Sequence, residues 1–304
     1  MASAPKSPEY GIVAMDEREL AASFGRPRPC AVCGGSAKEP WATQGPFTAV
    51  RCPSCGLVWV DPFLTEEGVK RYYTGYLSSR LQNPRLMELR QRQYQLDAAF
   101  LSHSIPAGRV LDVGCGEGRF LATLSDRFEK YGLELDPESV AFAKAHFPFG
   151  SHIAQQALGQ DGFAAGSFDL VMMRGVIEHL REPRHAVQRV SELLRPGGSF
   201  FITATPNVDS FCAELYREKW NQFQPAEHLY YFSVKTLGRL CADYRLEVVG
   251  QEYPYLETPY ADLLNDQLAV LRDAQRIREG KRAEVGKSPA FWGNMMTVLF
   301  RLTS

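Results

Sequence analysis

The chain has 304 residues, enough for one large domain or two unequal ones. Hydrophobic residues make up 45% and charged residues 23%, which excludes a disordered or collagen-like chain. The 34 Lys and Arg against 35 Asp and Glu leave a net charge of -1; a duplex-binding protein carries a basic excess, so nucleic acid is disfavoured as the main partner. No stretch approaches the roughly 18–20 consecutive apolar residues that a membrane span needs. The N-terminal run has no basic segment followed by an apolar core, so no secretory signal is read there and a cytoplasmic location is expected. Seven cysteines in such a chain point to reduced thiols that hold a metal or do chemistry.

In chain order, residues 16–22 suit a short helix after an Ala-, Ser- and Pro-rich start whose tip should be disordered. Residues 30–60 hold four cysteines and two strand-like runs, 48–51 and 57–60. Residues 84–103 read as a long helix, with Leu86, Leu89, Tyr94, Leu96, Phe100 and Leu101 among Arg and Gln; Pro106 and Gly108 end it. From residue 109 strands and helices alternate. Strands are expected at 109–113, 130–135, 152–157, 168–173, 199–205, 246–251 and 294–302. Helices are expected at 119–127, at 137–146 with Pro in the first turn, at 183–194 and at 234–244. Residues 263–282 read as an amphipathic, charged surface helix. Repeated βα units imply a parallel, doubly wound sheet with its ligand at the carboxyl ends of the strands.

Cys30-x-x-Cys33 and Cys52-x-x-Cys55 are two knuckles separated by a hairpin-sized insert. Each pair can place two thiolates on one ion, and two pairs complete a tetrahedron. Gly34, Gly35 and Gly56 relieve the turns. The spacing is that of a zinc ribbon. A site closed by four thiolates has no open position for water, so the zinc is structural. Cys115, Cys212 and Cys241 read as small apolar fillers.

The strand 109–113 runs into Gly114-Cys115-Gly116-Glu117-Gly118 and then a helix. Glycine suits a tight turn and close approach of a ligand to the backbone. A dinucleotide fingerprint reads G-x-G-x-x-G, but here the third glycine comes one residue early and Arg119 takes its place. Asp112 stands two residues before the first glycine, and Glu134 closes the next strand. This D-x-G-x-G-x-G arrangement resembles motif I of class I S-adenosylmethionine (SAM) methyltransferases. Phe168-Asp169-Leu170-Val171, Val176-Ile177-Glu178-His179 with Glu182-Pro183, Leu194-Arg195-Pro196-Gly197-Gly198 and Thr205-Pro206-Asn207 extend the resemblance over residues 109–302. It implies a seven-stranded, Rossmann-like α/β sheet with SAM as methyl donor. It further implies that Asp112, Gly114 and Gly116 face the methionine portion, with Cys115 and Gly118 also at the cofactor. Glu134 would accept hydrogen bonds from the ribose hydroxyls, Leu135 would pack on the adenine, and Arg174 would lie near the cofactor. The acid that the family often carries near the adenine amino group is absent from Gln155-Gln156-Ala157.

Methyl transfer is an in-line attack on a sulfonium, so the enzyme aligns a nucleophile, excludes water and, for a hydroxyl, removes a proton. Residues 219–233, KWNQFQPAEHLYYFS, are dense in aromatics and hold the pair Glu227-His228. A neutral imidazole oriented by a carboxylate is a good base near neutral pH. His179, just after the strand 168–173, is a second candidate. Tyr72, Tyr73 and Tyr76 could form a lid or pack a linker onto the core.

The ribbon, the Asp61-Pro62…Tyr72-Tyr73 linker, the core and the Glu-His…Phe-Ser segment together resemble a group of bacterial enzymes. Its best-understood branch is the zinc-bearing nucleotide-sugar C-methyltransferases of deoxysugar pathways. Tyr76, His179, Glu227 and His228 match by order the residues that line the acceptor site there. That branch appends a further nucleotide-binding-like domain, whereas this chain ends soon after its last strand. The resemblance implies an N-terminal extension (1–28), a zinc ribbon (29–62), a helical linker (63–105) and a SAM-dependent methyltransferase domain (106–304). The expected activity is methylation of a small-molecule or saccharide-type acceptor, at oxygen, in polysaccharide or natural-product biosynthesis. Sugar C-methylation, RNA or protein methylation guided by the ribbon, and a non-enzymatic fold with a contact-making ribbon are the competing readings.

Overall fold

The computed structural model describes residues 17–72 and 84–303. The N-terminal tip, Tyr73 and Tyr76 lie outside them. After α1 (Glu17–Ala22), the strands β1 (Glu39–Gln44), β2 (Phe47–Arg51) and β3 (Val58–Val60) form a small antiparallel sheet. Of these, β1 was not foreseen from the sequence. The helices α2 (Glu66–Tyr72) and α3 (Pro84–Ser104) lead to the main sheet. Its parallel strands are β4 (Gly108–Val113), β5 (Phe128–Glu134), β6 (Ile153–Gln155), β7 (Phe168–Arg174) and β8 (Leu194–Pro206). Between them lie α4 (Arg119–Thr123), α5 (Pro137–His146) and α6 (Pro183–Leu193), and α7 (Phe211–Tyr216) follows β8. Then come β9 (Tyr230–Tyr231), α8 (Val234–Ala242), β10 (Leu246–Glu252), α9 (Leu263–Arg278) and β11 (Met295–Leu302). The main sheet has seven strands in the order β10-β11-β8-β7-β4-β5-β6.

One expectation needs correcting. The sheet is mixed, because β11 runs antiparallel to both β8 and β10. Wide segments separate β8, β10 and β11, so the alternating βα pattern that implies parallel pairing ends at β8. The seven-stranded, Rossmann-like arrangement is otherwise as expected.

The central strand β7 shows why the sheet is covered on both sides. Leu170, Val171, Met172 and Met173 are all fully buried. By strand alternation, Leu170 and Met172 pack with Leu101, Phe120 and Val140 of α3, α4 and α5. Val171 and Met173 pack in the cluster that holds Val187, Val190 and Leu237 of α6 and α8. An apolar run with no polar face is what a parallel strand buried on both sides requires. Local signals set the helix starts. Asp136 accepts from the Ser139 backbone N–H ahead of α5, with Pro137 behind it, and Ser233 and Thr236 form a reciprocal cap on α8.

The small sheet does not close on itself. Its fourth strand is β9, with Val58 opposite Tyr231 and Trp59 opposite Tyr230. Val60 also donates its N–H to the carbonyl of Leu229 at 2.9 Å. Trp41 of β1 sits edge-on to Trp220 and Phe223, with ring centroids 6.4 and 5.4 Å away. The cysteine-bearing segment and the main body therefore share one hydrophobic core. Among the described residues, no helix is long and apolar enough to cross a membrane.

Candidate functional site

A cleft of about 660 Å³ opens at the carboxyl ends of β4, β5, β7 and β8. The loop after β4 forms its floor. The N–H groups of Gly114 and Cys115 both reach the Leu133 carbonyl, at 2.8 and 3.1 Å, which folds the loop back over β5. Two glycines show why. Gly114 has φ +72° and a Cβ there would lie 2.7 Å from Val176. Gly116 has φ +54°, and a Cβ there would meet only open space. At Gly114 the close neighbour is protein; at Gly116 the constraint is the left-handed backbone, and the missing side chain leaves open space there. Gly118 stands outside the lining and faces Phe149, in the turn after α5, and Ala143 of α5.

Two carboxylates flank the loop. Glu134 lines the cleft and accepts the Gly116 N–H on Oε2 at 2.8 Å and the Leu135 and Asp136 N–H groups on Oε1 at 2.7 and 2.9 Å. Asp112 is 2% exposed, and its Oδ1 has no hydrogen-bond partner. Burial pushes its carboxyl up to about 8, with the charge of Glu134 adding to the rise and Arg174 opposing it. Arg174, at the end of β7, and Cys115 line the same cleft. Leu135 is 66% exposed and stands outside the lining. Asp161 is spoken for: it pairs with Arg189 at 2.5 Å and accepts the N–H groups of Gly159 and Phe163.

The other end of the cleft gathers Glu178, His179 and His228, whose ligand-type atoms all lie within 4.8 Å of one another. The imidazole centroids are 4.8 Å apart, edge to face. His179 Nδ1 is 2.9 Å from the carbonyl of Glu227, and His228 Nδ1 is 3.2 Å from that of Gln222. A carbonyl oxygen only accepts, so each ring carries its proton on Nδ1 and Nε2 is the basic nitrogen. Glu227 thus contributes a backbone carbonyl to His179, and the Nδ1 partner of His228 is a different carbonyl from the carboxylate expected to orient it. Glu178 is 1% exposed, and burial pushes its carboxyl up. Sequence reasoning passed over Glu178, although the Glu-His pair occurs twice, at 178–179 and 227–228. It also missed Asn221, Gln222, Tyr255 and Asn294, which line this end from three separate segments. The Asn294 Oδ1 is buried without a hydrogen-bond partner.

The four cysteines converge as their spacing predicts. Cys30 and Cys55 Sγ atoms are 3.4 Å apart, Cys33 and Cys52 3.5 Å, and all four lie within 4.8 Å. A tetrahedron of sulfurs each about 2.3 Å from zinc has edges of about 3.8 Å, so the donor set fits that ion. The knuckles are alike: Gly34 donates to the Cys30 carbonyl and Gly56 to that of Cys52, each at 2.9 Å. Burial pushes the thiols of Cys115 and Cys241 up, and that of Cys212 up to about 12, which suits buried fillers and not nucleophiles.

A family model described as a methyltransferase domain matches residues 86–251, more than half of the chain. The chain belongs to this methyltransferase family. It is a SAM-dependent methyltransferase with the class I, Rossmann-like fold. It is 28% identical over 166 residues to the ubiquinone biosynthesis O-methyltransferase of Aromatoleum aromaticum, a match that spans 50% of this chain and 71% of that one. It is 32% identical over 168 residues to the enzyme of that name from Xanthomonas campestris pv. campestris, over 52% of this chain and 55% of the relative. In structure it is similar to the 1,6-didemethyltoxoflavin-N1-methyltransferase of Burkholderia thailandensis, solved with its acceptor and S-adenosylhomocysteine. The TM-score is 0.53 at 16% identity, over 88% of this chain and all 100% of that one, and it bears on the fold alone. The open space at Gly116, the unpartnered Asp112 Oδ1 and the Glu134 carboxylate in the cleft all fit the cofactor of a SAM-dependent methyltransferase.

Proposed function

We propose that this methyltransferase moves the methyl group of SAM to a hydroxyl oxygen of a small, neutral acceptor, of saccharide type, in polysaccharide or natural-product biosynthesis. The observation that carries this reading is the pair of imidazoles at the far end of the cleft, each with its proton held on Nδ1 by a carbonyl. A hydroxyl needs a proton acceptor as it attacks, and an amine delivered unprotonated does not. His228 takes that proton, and His179 stands beside it. The buried Asn294 Oδ1 offers an acceptor for a second hydroxyl. The O-methyltransferase relatives point the same way. Carbon-13 methyl SAM, incubated with free and nucleotide-linked sugars and with phenols, tests it by the chemical shift of the new methyl. A methyl on nitrogen or carbon would overturn the oxygen assignment.

In this reading Asp112, Gly114, Cys115, Gly116 and Arg174 meet the methionine portion and Glu134 the ribose. Glu134→Ala should weaken SAM binding by about 2–4 kcal/mol, since two charge-assisted hydrogen bonds are lost and the Gly116 N–H loses its partner. Calorimetry giving unchanged affinity would place the ribose elsewhere.

Asp112 makes the affinity depend on pH. Its carboxyl, raised to about 8 by burial, is protonated in the free protein below that pH. It must ionise to meet the ligand's ammonium. Affinity should therefore rise by up to roughly tenfold per unit as pH climbs toward 8, with a proton released on binding. Above that it should fall as the ligand's own amine, of pKa about 8, loses its charge. Asp112→Asn should flatten the rising limb; an affinity already flat in the wild type would refute the assignment.

Cys30, Cys33, Cys52 and Cys55 are assigned to one structural zinc, in a ribbon (29–62) that precedes a helical linker (63–105) and the methyltransferase domain (106–304). A second reading rests on the convergence of Glu178, His179 and His228, which suits a divalent cation that would ionise the hydroxyl in place of the base. Turnover that requires added Mg²⁺ or Mn²⁺ would favour it over proton transfer to His228.

A further inference from the structure

A buried carboxylate beside the cleft has no part in the chemistry above. Asp97, on α3, is 1% exposed. Its Oδ2 accepts from Arg174 Nε at 2.8 Å. Its Oδ1 accepts from Gln93 Nε2 at 3.1 Å and from Thr203 Oγ1 at 3.2 Å, and Thr203 Oγ1 in turn lies 2.8 Å from Thr297 Oγ1. One carboxylate from the helix thus joins side chains of β7, β8 and β11. Gln93 and Tyr94 of the same helix line the cleft. The Arg174 guanidinium carbon sits 4.5 Å from the Tyr94 ring centroid and 5.8 Å from that of Phe120.

These contacts leave the guanidinium little freedom. Nε is committed to Asp97 and the rings hold the group from the side. Neither Nη makes a hydrogen bond among the described residues, and Arg174 borders the cleft. A guanidinium can give a carboxylate two parallel bonds, end-on or side-on. Here Asp97 receives only the Nε–H, which leaves both Nη groups for another acceptor. The unpartnered Oδ1 of Asp112 lies close enough for its charge to sense Arg174. A cationic fork beside an unpartnered carboxyl oxygen, which ionises when an ammonium arrives, matches the two charged ends of an α-amino acid.

We infer that Asp97 is a positioning residue that aims the Nη groups of Arg174 at the carboxylate of the methionine portion of SAM. The inference rests on the reading that Arg174 faces that portion. Asp97 and Arg174 each offset the desolvation of the other, so removing Asp97 frees the fork to turn and leaves a charge without its partner.

The test compares two ligands on the same protein: SAM and decarboxylated SAM, which lacks only that carboxylate. A ratio of affinities cancels any general loosening of the site or loss of folded protein. The wild type should prefer SAM by about 10- to 100-fold. Arg174→Gln should bring the ratio close to one. Asp97→Asn should lower it at least fivefold, and Asp97→Glu, which keeps the charge but moves it by one methylene, should lower it less. If Asp97→Asn does not fold, Asp97→Glu alone reads the same ratio. A wild-type ratio near one, or a ratio unchanged in Arg174→Gln, would overturn the reading of Arg174 and the inference with it. A ratio that falls in Arg174→Gln but stays at the wild-type value in both Asp97 variants would overturn the inference alone.

Discussion

Stripping the metal from the four cysteines should abolish turnover while SAM binding survives. Zinc held by such thiolates is worth about 10–16 kcal/mol in apparent terms, far more than the short strands β1 to β3 can supply by themselves. The loss should not stay local. The fourth strand of that sheet is β9, which begins two residues after His228, and the Leu229 carbonyl is held by the Val60 N–H. When β3 loses its place, the segment that carries His228 loses its partner. The glycine loop, Asp112 and Glu134 belong to β4, β5 and the turn between them, whose ladder partners are all strands of the main sheet, so the cofactor should still bind. Metal analysis should find one zinc per chain. After chelation, or in Cys30→Ser, proteolysis should cut within residues 29–62, and calorimetry should still report SAM binding. A folded, fully reduced sample with substoichiometric zinc and normal turnover would refute both the site and the coupling.

His228→Ala should keep SAM affinity and lose about 10²–10⁴ in turnover, the contribution of a positioned general base. That corresponds to about 2.7–5.4 kcal/mol of activation free energy. The base works only when neutral. Glu227→Gln should lose less, because it leaves the His228 ring in place and keeps the Glu227 backbone carbonyl on His179. Near-normal turnover in His228→Ala, with the loss found in His179→Ala, would move the base to the end of β7. Near-normal turnover in both would favour an acceptor that needs no base.

Much of this molecule is legible from local pattern. The apolar run of β7, the Asp112-to-Gly118 loop between a strand and a helix, and the Pro137 start of α5 are set by residues within a few positions of one another, and strand and helix periodicity reports them directly. The two Cys-x-x-Cys knuckles are equally local, and only one ion geometry suits two of them. The sequence was silent where function depends on pairing between distant segments. The Asp97 and Arg174 side chains meet from positions 77 apart. Asn294 reaches the cleft from beside β11, whose antiparallel sense no βα rhythm announces. Glu178 lies within a motif read at the outset, but its burial beside His179 and His228 exists only once two chain segments fold onto each other. The ribbon looked like a separate module because its ligands are contiguous. The fold instead completes its sheet with Tyr230 and Tyr231, since an open edge at β3 would leave backbone donors and acceptors unpaired. Element type and the glycine loop were therefore decided by short-range sequence, while the gathering of Glu178, His179 and His228 and the link between the cysteine-bearing sheet and the segment after His228 were decided by tertiary strand pairing.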